Sequence, residues 1–328
     1  MIKFISSGLN TSIQDKGRFG YKRFGITNSG AMDDISLRIV NKLVGNRDFE
    51  SAIEFTLMGP VIEFKKEAIV AVGGGEVEVK IDGKNFPMWK ALYIKKGSIL
   101  FFGEMKSGLR GYIAIQGGLN IKDNLGSKSF DERGGLGLKI EDGTEIEIQD
   151  MADKSVIGRE IEKNFLPCFD GTIRVITGPD RENFTEKSYN LFFSTDWKIS
   201  HESNRMGIRL KGGRIEHSEK GANIESQGIV EGTIQVPPSG EPIILMKEHQ
   251  TTGGYARIGV IVTCDLYKIA QRRPGESAKF KETTIKEAIQ ALREREKWLR
   301  GIKFKREGRR FIMIINGQRY RVEVERVE

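Results

Sequence analysis

Between Ile53 and Ile148 the apolar residues come in short bursts, and almost every burst is closed by a turn signal. Ile53 to Thr56, Val61 to Phe64 and Ile69 to Val72 are separated by Gly-Pro or charged residues. Val77, Val79 and Ile81 alternate with Glu78 and Lys80 before Asp82-Gly83, the dipeptide of a tight hairpin. Leu92 to Ile94, Ile99 to Phe102 and Tyr112 to Ile115 continue the series, and Asp142-Gly143 turns the chain into Glu145 to Ile148. One helix precedes them. Asp33 or Asp34 caps it, Ile35, Ile39, Val40 and Leu43 supply a stripe at helical spacing, and Gly45 ends it. A single helix among many strands with short turns predicts a mainly β fold whose sheet is closed or sandwiched.

Residues 1–150 form one such unit, and the pattern is lost over 151–167, which reads as a linker. Residues 168–285 repeat the style with a strand at Ile173 to Ile176, a short helix near Thr185 to Phe193, and apolar strands at Ile243 to Met246 and Ile258 to Val262. At 328 residues the chain is comfortable as two domains. The segment 286–328 is an appendage. Thr284 and Glu287 make a capping box for a helix with Ile285, Ala288, Ile289 and Leu292 on one face. A hairpin then turns at Asn316-Gly317.

Charge and composition remove several function classes. The net charge of +8 is concentrated at the end: Lys279 to Glu328 holds 15 Lys/Arg against 8 Asp/Glu, a surplus of seven. No zinc-finger or RNA-recognition pattern accompanies it, so nucleic acid is not expected as a partner. No apolar run is long enough to cross a membrane as a helix, and the first residues lack the pattern of a signal peptide, so the expected location is cytoplasmic. Cys168 and Cys264 are read as buried small hydrophobes, and the three histidines show no ligand spacing, so no metal site is expected.

Chemistry-bearing residues gather in four Gly-rich polar stretches. The first is Gln14 to Asp34, where Gly17, Gly20, Gly25 and Gly30 exclude a regular element and leave Asp15, Arg18, Tyr21, Arg23, Ser29 and Asp33 to bind anions or move protons. The second is Gly117 to Arg133. In the third, Ser203 to Leu210, Arg205 and Arg209 flank Met206-Gly207. They either clamp a carboxylate or phosphate, or pair with surface acids. The fourth, Glu248 to Arg257, offers Gly253-Gly254 as a backbone bend toward an anion, Gln250, Thr251 and Thr252 as hydrogen-bonding side chains, and Tyr255 as a stacking face; the alternative is a hairpin turn. No Walker loop and no Ser-His-Asp or Cys-His set is present.

Together these stretches resemble the carboxyltransferase subdomain A/B family, also called allophanate hydrolase subunit 2-like. The resemblance rests on Gln14 to Tyr21, Ser29 to Asp33, Asn41 to Asn46, Gly126 to Asp131, Arg205 to Leu210 and Gln250 to Tyr255, in order, and covers residues 1 to 285. It implies two cyclophilin-like β-barrel subdomains. It also implies a role as the C subunit of an ATP-dependent 5-oxoprolinase, which opens 5-oxo-L-proline to L-glutamate. The partners implied are the A and B subunits of that enzyme, the B subunit being KipI-like, with ATP held by this chain or by those partners. Two alternatives accompany it: a urea carboxylase-like carboxyltransferase that uses carboxybiotin, and a regulatory protein that binds a KipI-like kinase inhibitor. The matching positions imply Asp15, Arg18, Tyr21, Asp33 and Arg205 as catalytic. They imply Gln14, Ser29, Gly30, Arg209, Gln250, Thr251, Thr252, Gly253, Gly254 and Tyr255 as substrate-binding. Three positions depart from the family pattern: Asn204 where Asp is usual, Gln227 where Glu is common, and Ala256 in place of Pro. Gln cannot act as a base, so the second departure bears on turnover.

Overall fold

A computed structural model describes residues 1–306, 309–315 and 318–324. Ten strands between Ile2 and Ile148 form a first sheet. Its hydrogen-bonded order runs from Ser12–Gln14 through Ala52–Thr56, Ile99–Ile115, Val61–Phe64, Ile2–Ser6 and Glu145–Ile148 to Leu119–Asn120. Two strands outrun the short segments expected: Ala68–Ile81 and Ile99–Ile115 pair along most of their length. The chain passes through Gly73-Gly74-Gly75 without turning. Gly74 sits at φ +103°, the register shifts between it and Glu76, and a Cβ there would lie 2.3 Å from the Arg110 carbonyl oxygen. A glycine bulge therefore bends one long strand where a side chain would have forced two apart.

Alternation along these strands builds two apolar layers. Phe4, Phe55, Phe64, Val70 and Ile113 fill the inside of the sheet, whereas Ile69, Ala71, Tyr112 and Ala114 face the other way and cover helix α1, Asp34–Leu43. The second sheet has eight strands, ordered from Ser277–Ala278 through Trp197–Ile199, Gly207–Lys211, Ile243–Leu245, Thr233–Gln235, Arg257–Ile261 and Ile173–Thr177 to Phe280–Thr283. Its two end strands are separated only by Lys279 in the chain, so the sheet curls into a nearly closed barrel, while the first forms a half-barrel. Helix α2, Glu186–Ser194, is capped by Thr185 and lays Phe192 against Phe280 and Trp197 in the barrel's core. The short α3, Leu266–Ala270, and the long α4, Ile285–Arg300, complete the helices; α4 carries the expected capping box of Thr284 and Glu287. The mainly β, two-barrel expectation holds in this form.

Within 151–167, Arg159–Ile161 pairs antiparallel with Phe304–Arg306. Two local expectations are corrected. Helix α4 buries Ala288, Ala291 and Leu299, and of the face expected for it only Ala288 is buried, while Ile285, Ile289 and Leu292 are exposed. Ala288 and Ala291 let the helix lie close to the barrel, and the three aliphatics are left outside. Cys264 is buried, but Cys168 is exposed. Strands Arg309–Ile315 and Gln318–Val324 pair as a hairpin, and the Asn316-Gly317 turn expected between them lies outside the described residues.

A polar seam and one apolar plug join the two units. Met32, from the opening stretch, is buried in the barrel's core with Trp197, Ile208 and Met246. Gln271, just after α3, accepts from the backbone amides of Leu109 and Arg110 at 2.9 Å each. It donates to Asp33 Oδ2 at 2.8 Å and to the Arg110 carbonyl at 3.1 Å. Arg273 donates to the carbonyls of Gly108 and Met105. These bonds satisfy backbone groups of the long strand that pairing leaves free, so the seam answers a desolvation cost that either unit alone would carry.

Asp33 is the junction of this seam. It caps α1 through the Ser36 amide and hydroxyl, takes the Gln271 amide, and is fully buried. Burial pushes its carboxyl up to about 6, with the Ser36 and Gln271 hydrogen bonds opposing. Between the unfolded value near 4 and the folded value the native state holds more protons, so this group's contribution to stability is full below pH ~4 and lost as pH rises through ~6. An Asp33→Asn variant is expected to lose this dependence. The stability of the unaltered protein relative to the variant should fall by about 2 kcal/mol from pH 4 to 6. Urea unfolding of both proteins across that range checks it, and parallel curves would refute it.

Candidate functional site: a cleft between the two units

The strand Ala52–Thr56 points Ile53 and Phe55 into the first core, and its alternation turns Glu54 to the opposite side, toward the barrel. There Glu54 Oε2 accepts from the Met32 amide at 2.9 Å and the Tyr112 hydroxyl at 2.6 Å, and Oε1 accepts from Arg205 Nη1. Arg205 comes from the barrel, in the turn before Gly207–Lys211. Its Nε donates to Glu248 Oε1 at 2.5 Å and its Nη2 to the Gly30 carbonyl at 2.7 Å. One guanidinium thus links a carboxylate of the first sheet, a carboxylate of the barrel and the backbone of the opening stretch.

The electrostatics follow from this enclosure. Burial works against the charge of Arg205, but Glu54 and Glu248 outweigh it and raise its pKa above the ordinary arginine value. Arg110, fully buried nearby, is pulled down by desolvation with Glu54 opposing. Its Nε has no hydrogen-bond partner and lies 4.0 Å from Glu54 Oε1. Burial, then Glu54 and Asp33, push the Tyr112 phenol well above its usual range, so it remains a hydrogen-bond donor. The cluster opens onto a cleft of about 600 Å³ lined by Arg205, Met206, Glu248, Arg110, Phe130 and Arg133. Arg272 also reaches it, with a buried Nε that lacks a partner. A cleft of this size with convergent arginines suits a small ligand bearing a carboxylate or a developing oxyanion.

Of the residues expected from the sequence, Arg205 lines the cleft and Gly30 and Ser29 stand behind it. The Ser29 hydroxyl is 3.5 Å from Glu248 Oε1 and donates to the Phe130 carbonyl at 2.7 Å. The others of the opening stretch serve it from within. Asp15 accepts from the Gly17 and Lys128 amides and from the Ser127 and Ser129 hydroxyls, at 2.6–2.7 Å. Arg18 is buried. It donates to the carbonyls of Asn124 and Ser129 and lies 3.9 Å from Asp131, so it ties two loops together and does not line the cleft. Gln14 binds the Gly30 amide and the Phe130 carbonyl. Gly17, at φ +91°, is held so closely that a Cβ would lie 2.7 Å from the carbonyl oxygens of Asn28 and Ser29. Tyr21 precedes a single 3-10 turn, Lys22–Phe24, and Asp33 is the helix cap described above. In place of direct chemistry, the geometry gives Asp15, Arg18 and Asp33 the work of fixing the loop.

For Arg209 the surface-pairing alternative holds, and it does not form a clamp with Arg205. It is half exposed and pairs with Glu202 at 3.8 Å. Thr252–Tyr255 is a strand paired with Asn223–Gly228 in a two-stranded ribbon, with no glycine bend. A Cβ on Gly253 would meet the Gln235 amide at 2.4 Å, so this glycine serves close packing and not an anion nest. Gln250 reaches Gln235 Oε1 at 3.3 Å, while Thr252 and Tyr255 are exposed and Thr251 and Gly254 half-buried. The three departures have local explanations. Asn204 Oδ1 accepts from the Met206 and Gly207 amides, and Ala256 donates its amide to the Ala222 carbonyl, which Pro could not do. Gln227 Oε1 accepts from Arg257 Nη2 at 2.8 Å, an acceptor role that Gln fills.

Sequence reasoning missed Glu54, Arg110, Tyr112, Glu248 and Gln271. Glu54 had a visible signal: an acid in the middle of the apolar strand AIEFT is costly unless paired. Among the described residues no group of three or more His, Cys, Asp or Glu side chains is arranged to hold a metal ion, and no helix is long and apolar enough to cross a membrane.

His249, next to Glu248, lies 3.0 Å from Lys22 Nζ through Nε2 and 2.5 Å from the Gln250 carbonyl through Nδ1. Carbonyl and ammonium together require a neutral ring protonated on Nδ1. Burial, then the Lys22 charge, lower its pKa to about 4. The unfolded ring binds its proton near 6.5, so this group's share of stability rises with pH from ~4 to ~6.5, opposite in sign to that of Asp33. Imidazole 15N shifts are expected to show the Nδ1–H tautomer unchanged from pH 5.5 to 8; a titration midpoint near 6.5 would refute the assignment.

With the geometry in place, comparison with known proteins is informative. The family described as "Carboxyltransferase domain, subdomain A and B" matches residues 24–282. The C subunit of the 5-oxoprolinase of Escherichia coli (strain K12) is 33% identical over 302 residues, which make up 91% of this chain and 96% of that protein. The urea amidolyase of Saccharomyces cerevisiae is 33% identical over 336 residues, but this chain spans only 18% of it. The crystal structure of the K. lactis urea amidolyase superposes with a TM-score of 0.82 at 28% identity, covering 91% of this chain and 20% of that one.

Proposed function

Because this chain belongs to the carboxyltransferase domain, subdomain A and B, family, we propose that it is the C subunit of an ATP-dependent 5-oxoprolinase. The reaction would open the lactam of 5-oxo-L-proline to L-glutamate. The observation that carries the reading is the cleft of about 600 Å³ lined by Arg205, pinned by Glu54 and Glu248, together with Arg110 and Arg133. It is supported by the near end-to-end match to proteins that bear that enzyme's name.

The substrate carries one carboxylate, and its ring carbonyl gathers negative charge as water adds. Arg133 at the cleft wall suits the carboxylate. Of the five N–H groups of Arg205, three meet Glu54, Glu248 and Gly30, which leaves two for the developing oxyanion. Its carboxylate partners hold it in place, so little reorganisation is required as charge develops.

ATP fits this chain poorly. Gly253-Gly254 lie in the strand Thr252–Tyr255 and not in a phosphate cradle, and the N-terminus of α1 already carries the Asp33 carboxylate. We assign nucleotide binding to the companion A and B subunits, the latter KipI-like. A second reading, transfer of a carboxyl group from carboxybiotin, is favoured by the likeness to the urea amidolyase structure, and its carboxylate would suit the same arginines.

The test is glutamate release from 5-oxoproline and ATP by this chain with purified A and B subunits. Release is expected only in the complete mixture and without biotin. Arg205→Ala is expected to lower the rate about 100-fold or more while the complex still assembles, and Arg205→Lys to rescue it poorly because the fork is lost. No release in the complete mixture, with every component folded, would overturn the proposal. Carboxylation of an amide substrate that requires a biotin carrier would establish the second reading in its place.

A further inference from the structure

Helix α4 lies just beyond the matched residues 24–282, and nothing in the cleft uses it. Its buried side carries Ala288 and Ala291 against Val262 and Cys264 of the barrel, and Leu299 against the layer of α1. On the outside Ile285 is 65% exposed, Ile289 47% and Leu292 37%, at i, i+4 and i+7. Three aliphatics in line on an exposed helix keep apolar surface in water over about two turns. The helical repeat places Lys286, Arg293, Lys297 and Arg300 along one flank of this stripe, and all four are exposed. None of them forms an ion pair among the described residues, although surface carboxylates elsewhere pair freely.

We propose that the outer face of α4 is a docking helix for a companion protein of the same enzyme. The occupant is a hydrophobic groove that takes Ile285, Ile289 and Leu292 as anchors and carries Asp or Glu along one rim opposite Lys286, Arg293, Lys297 and Arg300. This rests on the reading of the chain as one component of a larger enzyme. The pattern of three anchors at i, i+4 and i+7 is that of a helix laid into a protein groove. A second copy of the chain is disfavoured, since pairing two such faces would bring like charges together. A membrane surface is disfavoured too: the stripe has no aromatic residue and only three aliphatics, too little apolar area for stable insertion.

The experiment measures binding of the purified A and B subunits, each alone and together, to the full-length chain. It compares the unaltered chain with Ile289→Asp and with the triple variant Lys286→Glu, Arg293→Glu, Lys297→Glu. Binding is expected to weaken at least tenfold in both. The triple variant should also lose salt dependence, and the thermal unfolding of both should match the unaltered chain because the changed residues are exposed. Equal affinity of all three chains would overturn the docking face and leave the proposed role in lactam opening standing, which glutamate release tests separately. Co-sedimentation with phosphatidylserine vesicles that both variants abolish, or a self-associated form that Ile289→Asp dissociates, would overturn it in favour of a membrane or a second copy. Failure of the unaltered chain to bind either companion would overturn it as well.

Discussion

A largely buried arginine between two carboxylates holds the molecule's two halves in a defined relation. Arg205 belongs to the barrel, Glu54 to the first sheet, and Glu248 to the loop after the barrel's Ile243–Leu245 strand. Taking three charges out of water costs several kcal/mol per ion, so such a triad is a weak argument for stability. It is a strong argument for orientation. A guanidinium with three fixed partners has one arrangement that satisfies them all, and any sliding of one unit past the other would strand a charge. The seam built by Gln271 and Arg273 acts in the same sense, because it binds backbone groups whose positions the long strand dictates.

The opening stretch illustrates how function and support differ in a loop of this kind. Its polar residues were natural candidates for chemistry, yet Asp15 and Arg18 spend their hydrogen bonds on the segment from Asn124 to Asp131. What the loop delivers is support for Arg205: the Gly30 carbonyl takes its Nη2, and the Ser29 hydroxyl lies 3.5 Å from Glu248. Rigid loops need such internal bonding, since a side chain that served both the loop and a ligand would release one on binding the other.

Much of the fold was legible in the sequence, because period-two alternation, Asp-Gly turns and the capping box are local signals. Asp82-Gly83 and Thr284 with Glu287 stand where local chemistry places them. The long strands were not legible: triple glycine reads as a break, and only the partner strand shows it to be a bulge. Helix α4 misled for the opposite reason, since its periodicity names an apolar face but not which side the barrel occupies. Of the site, Arg205 could be found from a distinctive box, and Glu54 from its incongruity in an apolar strand. Arg110, Tyr112 and Gln271 had no local mark; they are brought together by pairings between segments far apart in the chain. Arg209 and the Gln250 to Tyr255 run lay in stretches as distinctive as that of Arg205, and the fold put them on the outside.

Met32 carries a consequence for the order in which the molecule can be completed. It emerges early in synthesis, yet its place is in the core of a barrel whose last strand, Phe280–Thr283, pairs in parallel with Ile173–Thr177. Until residue 283 has been made, that strand cannot be added and the pocket that receives Met32 is incomplete. Before then the N-terminal half lacks the pocket for Met32, and the α1 cap beside it lacks its Gln271 partner. A polypeptide truncated within the barrel would leave both halves unfinished.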